Sequence, residues 1–81
     1  MIVKHEIANK GEKPLLVWIE PWAEQYSVPP GSELELAFAG PYDDPVFYTA
    51  AEEEGLVFTC GWAGSTFEAT LDGHRATPNR D

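Results

Sequence analysis

A chain of 81 residues with a formal net charge of −9 holds a single domain, because two separate cores would each fall below the size that folds unaided. No lysine or arginine occurs between Pro14 and His74, so the clustered cations that phosphate contacts require are missing and direct nucleic-acid binding is disfavoured. There is no apolar run of about eighteen residues to span a membrane and no apolar signal core at the amino terminus; with Cys60 alone, no internal disulfide can form, and the cytoplasm is the expected compartment.

From the amino terminus onward, period-two patterning and turn residues predict strands. Ile2 to Ile7 alternates weakly and leads to Asn9, Lys10 and Gly11, where Asn or Gly can take positive φ. Leu15 to Glu20 is apolar at nearly every position, the pattern of a central strand covered on both faces, and it marks Trp18 as structural. Pro21 stops that ladder for want of an amide hydrogen. Trp22 and Tyr26 follow, then Pro29, Pro30 and Gly31, with Pro30 and Gly31 suited to the middle of a type II turn. The clearest strand comes next: Leu34, Leu36 and Phe38 alternate with Glu33, Glu35 and Ala37, one face for a core and one for water.

Gly40 to Asp44 reads as a loop and Val46 to Ala50 as a strand. A helix is the rival there, capped by Asp44, with Pro45 at its first position and Gly55 past its end. Glu52, Glu53 and Glu54 would then crowd the negative end of the helix dipole, which favours the strand. Leu56 to Cys60 and Thr66 to Asp72 complete the set across a Gly61–Ser65 loop, with Phe67, Ala69 and Leu71 facing inward. The domain is therefore placed at residues 1–73, and 74–81, which has no apolar period, reads as a flexible tail. Six to seven short strands predict an all-β fold, a small antiparallel β-sandwich, with a small barrel as the neighbouring solution.

Candidate functional residues fall into two groups. Glu20, Trp22 and Tyr26, with Trp62 in its glycine-flanked loop, could form a platform for sugar rings or a proline-rich peptide. The same rings could instead close the sandwich, which suits a domain short of core. Glu33 and Glu35 share an outward face with no cation nearby in sequence, and such a field suits a basic protein partner as well as plain solubility. Asp43, Asp44 and Glu52 to Glu54 lack the spacing of a calcium loop, and His5, Cys60 and His74 lack zinc-ligand spacing, so no metal or other cofactor is expected. Cys60, His74 and Asp72 supply the residue types of a catalytic set without its spacing, and Ser65 is in no nucleophile elbow, so no enzyme is expected.

Pro14, Leu15 and Val17, the Glu20–Pro21–Trp22 step with Tyr26, and the Pro30–Gly31 turn before Leu34 and Leu36 resemble a group of short uncharacterised bacterial proteins. The resemblance covers the first half of the chain and implies a small β-domain with nothing catalytic. The strand pattern also looks like a truncated immunoglobulin-like or cupredoxin-like sandwich, without the histidines near Cys60 that copper would need. A non-enzymatic, acidic protein-interaction domain or accessory subunit is the function expected, with a small-molecule or carbohydrate binder as the alternative. Leu36 tests the register: as a core residue its replacement by Ala lowers stability by about 2–5 kcal/mol, whereas a variant that unfolds with the parent in urea places Leu36 in solvent.

Overall fold

Each predicted alternation becomes a strand once the two periodicities of the chain, side-chain facing and turn spacing, are satisfied together. The computed structural model describes residues 1–41 and 44–79, so Asp43 and the last two tail residues lie outside the described residues. The strands are β1 (Ile2–Ala8), β2 (Leu15–Glu20), β3 (Glu24–Val28), β4 (Glu33–Ala39), β5 (Phe47–Ala51), β6 (Gly55–Cys60), β7 (Thr66–Leu71) and β8 (His74–Arg75). They form two four-stranded sheets in the orders β1-β4-β7-β8 and β3-β2-β6-β5. The protein is an all-β sandwich, and the segment with a rival helical reading is strand β5.

Inner faces meet in an aromatic core. In the first sheet Val3, Phe38 and Phe67 form one cross-strand row, and His5, Leu36 and Ala69 the next. Leu34, Leu36 and Phe38 are fully buried, as the alternation of β4 requires. Val17, Ile19, Val28 and Phe58 oppose them from the second sheet. Phe38 sits at the centre, stacked on Phe58 at 5.6 Å and in contact with Phe47 at 5.1 Å and Phe67 at 5.7 Å between ring centroids.

Three features differ from the sequence reading. Strand β2 is central, between β3 and β6, but only one of its faces is covered. Val17 and Ile19 are fully buried while Leu16, Trp18 and Glu20 point outward and are half-buried. Strand β3 carries too weak a period to be seen in the sequence, because Tyr26 and Val28 are its only large apolar residues. The stretch after Gly73 is not free: β8 pairs with β7, Ala76 N–H donates to Ala69, and Asn79 N–H donates to the Gln25 carbonyl at 2.7 Å. The signal was Asp72–Gly73, both at positive φ, the two-residue turn that closes a hairpin.

One pair, β2 with β6, is parallel, and its intimacy depends on Gly55. A Cβ there would lie 1.7 Å from the Leu16 carbonyl oxygen. The chain crosses between sheets four times, and each end of the sandwich is closed where two crossings meet. At one end Trp62 lies over Gly40, whose Cβ would meet the indole at 2.9 Å, and Ser65 Oγ donates to the Trp62 carbonyl. At the other end stands buried Asn9. Its side-chain amide donates to the carbonyls of Lys13 at 2.7 Å and Val28 at 2.8 Å, and its oxygen accepts from Gly11 N–H. Its backbone bonds both Gly31 and Ser32. The predicted type II turn is present beside it, with Gly31 at φ 83° and Ser32 N–H donating to Pro29.

Replacing Asn9 by Ala leaves several buried groups unpaired at a cost of about 1–3 kcal/mol each. Asn9→Ala is therefore expected to lower stability by at least about 2 kcal/mol in urea denaturation, with exposed Lys10→Ala as a near-neutral control.

Candidate functional site

The Glu20, Trp22, Tyr26 and Trp62 group divides between core and surface. The ring of Tyr26 is buried on the inner face of β3, and its hydroxyl donates to Glu24 Oε1 at 2.7 Å. Burial, reinforced by the hydrogen bond and charge of Glu24, pushes the phenol above its usual pKa. Trp62 is also buried. Trp22 is half-buried against Phe67, 4.7 Å away between ring centroids, and Phe38. A sugar platform needs open, coplanar rings, whereas these three spend their area on the core. Glu20 alone of the group belongs to an outward face.

Glu33 and Glu35 lie on the outward face of the first sheet. Lys4, from the far end of the sequence, brings its Nζ to 4.0 Å from Glu35, and Glu6 pairs across from Glu35. Arg75 reaches the same face, in register with Thr70 beside Glu35. Like charges are thus interleaved with opposite ones, and the cation-free stretch of sequence is not cation-free in space. Close by, Asp72 accepts the Glu33 N–H at 2.9 Å, and hydrogen bonds from the Ser32 hydroxyl and that N–H hold its carboxyl below the usual range.

The outward face of the second sheet is different in kind. Trp18 is in register with Val57, and Val57 with Ala50, which makes one apolar row across three strands. The next row runs Glu20, Thr59, Tyr48. Tyr48 is 66% exposed and Val46, just before β5, is 64% exposed. Trp18 and Val57 floor an open groove of about 620 Å³ whose other walls are Glu20, Glu52, Glu53 and Glu54. Sequence patterning missed this face because a strand apolar on both sides reads as covered on both sides. The missed clue was that Glu20 and the Glu52–Glu54 run border it.

Chemical groups elsewhere are dispersed. Cys60 is buried at the end of β6 with its Sγ 3.5 Å from Ser65 Oγ, whereas Asp72 and His74 belong to the β7–β8 hairpin of the other sheet. Among the described residues no group of three or more His, Cys, Asp or Glu is arranged to hold a metal ion. His5 lies on the inner face of β1, edge-on to Phe47 at 4.5 Å and Phe58 at 4.9 Å, with its Nε2 buried and without a hydrogen-bond partner. No protein-family model, curated protein or solved structure matches the chain.

Burial holds the His5 imidazole below the ordinary histidine value of 6.5. The unfolded chain therefore takes up this proton first as pH falls, and the contribution of neutral His5 to stability is lost from about pH 6.5 down to the folded-state pKa, then levels off. Thermal melts from about pH 7.5 to 5 are expected to show this decline, and His5→Phe to flatten it in that window.

Proposed function

We propose that this domain is a non-enzymatic, cytoplasmic interaction module, an accessory subunit that holds a basic protein partner on the outward face of its β3-β2-β6-β5 sheet. The observation that carries the proposal is the Trp18–Val57–Ala50 row, apolar and half-buried on an outward sheet face, bordered by Glu20 and by Glu52 to Glu54. A half-buried indole supplies contact area at low entropy cost, and an indole beside carboxylates suits the stem and charged head of a lysine or arginine. Such interfaces gather binding energy in a few central aromatics, while peripheral charges set the rate and salt dependence of association. The net charge of −9 adds long-range attraction for a cationic protein. Neither a disulfide nor an exposed thiol is involved, in keeping with a reducing compartment.

This reading moves the binding face from Glu33 and Glu35, whose field is shared with Lys4 and Arg75, to the opposite side of the sandwich. The purified domain, used as bait in lysate of its source, is expected to retain a specific basic protein. Trp18→Ala and a triple replacement of Glu52, Glu53 and Glu54 by Lys lose it, and Glu33→Lys with Glu35→Lys retains it. Retention weakens several-fold between low salt and about 0.15 M as charges are screened. If both charge-reversed baits lose the protein equally while Trp18→Ala retains it, net charge alone is responsible and the face has no such role.

A further inference from the structure

We infer that the partner is held as an added strand: an extended basic segment pairs with the open edge of β5 and lays alternate side chains over the Tyr48–Ala50 border of the Trp18 face. The inference rests on the proposed interaction role and specifies its geometry. Strand edges carry unpaired N–H and C=O groups, and proteins usually protect them. Of the four edges here, β8 is only two residues long, β3 has its Gln25 carbonyl occupied by Asn79, and β1 carries Lys4 and Glu6. Strand β5 reads Phe-Tyr-Thr-Ala-Ala, five residues with no charge.

The groups that face outward along β5 follow from its register. Gly61 N–H donates to the Val46 carbonyl and Glu52 N–H to the Gly55 carbonyl, both at 2.7 Å. In an antiparallel ladder these hydrogen-bonded positions recur every second residue, so Tyr48 and Ala50 also turn their backbone groups toward β6. Phe47, Thr49 and Ala51 then aim N–H and C=O at the open side, and among the described residues no backbone partner meets them. Pairing supplies affinity without sequence preference, and side-chain pockets supply the preference.

Charge chooses the occupant. Glu52, Glu53 and Glu54 follow β5 directly, so a segment alternating basic and apolar residues meets carboxylates at that end and the exposed Tyr48 ring along its length. A second copy of this chain fits less well, because two molecules of net charge −9 repel.

The probe is a capped peptide of about eight residues, one strand length, alternating lysine with valine, beside a twin methylated on alternate backbone nitrogens. At low salt the unmethylated peptide is expected to shift Trp18 fluorescence, the Trp22 and Trp62 signals being silenced by Phe replacement where the fold allows and otherwise resolved by indole NMR. It is also expected to slow amide exchange at Phe47, Thr49 and Ala51 by about tenfold or more. The methylated twin, unable to complete the ladder, binds about tenfold weaker or worse. If both peptides perturb Trp18 equally and the β5 amides keep their exchange rates, strand addition is overturned while the interaction face stands. If neither peptide perturbs Trp18 or β5, the interaction face falls and the inference with it. Protection of the three amides that rises with protein concentration in the absence of peptide would assign the edge to a second copy and overturn the choice of a basic segment.

Discussion

The hydrogen bonds of Asn9 are the constraint on which the rest of the sandwich depends. A chain that alternates between two sheets must turn its backbone across the end of the core, where amides lose water and find no ladder. Asn9 resolves this by joining the β1–β2 crossing to the β3–β4 crossing, with both amide hydrogens, its side-chain oxygen and its own backbone engaged. The bond to the Val28 carbonyl fixes the end of β3 against β2, and the bonds to Gly31 and Ser32 fix where β4 begins. Because side chains alternate with period two, those two registers decide which residues face the core. A slip of one residue at β2 would turn Trp18 inward and Val17 and Ile19 outward.

The opposite end is closed by the bulk of an indole, with Ser65 Oγ and Ser65 N–H both donating to the Trp62 carbonyl. There Trp62 occupies the space that a side chain at position 40 would need; toward the Asn9 end, Gly55 lets the backbones of β2 and β6 approach where any Cβ would collide. These small residues allow a thin domain to bring Phe38, Phe47, Phe58 and Phe67 into one continuous set of ring contacts. His5 is part of that set, a titratable ring held where a proton is unwelcome. Most of the described aromatic rings are therefore consumed by the core, whereas Trp18 is half-buried and Tyr48 exposed on the outward face of the second sheet.

The two outward faces have different electrostatic characters although one acidic chain supplies both. On the first sheet the chain ends return Lys4 and Arg75 among Glu6, Glu35 and Glu68, and the local field is mixed. On the second sheet the strands are nearly uncharged and the carboxylates stand at the border, on Glu20 and in the β5–β6 turn. The proposed interaction face thus combines an apolar centre and a charged rim with the directional backbone groups of an open strand edge.

Much of the architecture was written locally. The alternation from Glu33 to Phe38 and the Pro30–Gly31 turn each specified its element, and the β-rich residues of 46–50 favoured a strand over the rival helix, because facing and φ preference are properties of a few neighbouring residues. Strand β3 is illegible because two large apolar residues in five give a weak period, and the pairing of His74 and Arg75 leaves no apolar period because the strand after the Asp72–Gly73 turn is only two residues long. The candidate site was legible only in part. Sequence marked Glu20, but it could not say that β2 has one bare face, since the same apolar run serves a strand buried on both sides. Nor could it place Lys4 beside Glu35 or Val57 beside Trp18, pairs separated by long stretches of chain. Those neighbours exist only after the crossings are pinned, and it is their spatial register that divides one acidic sequence into a mixed-charge face and an apolar face with an acidic rim.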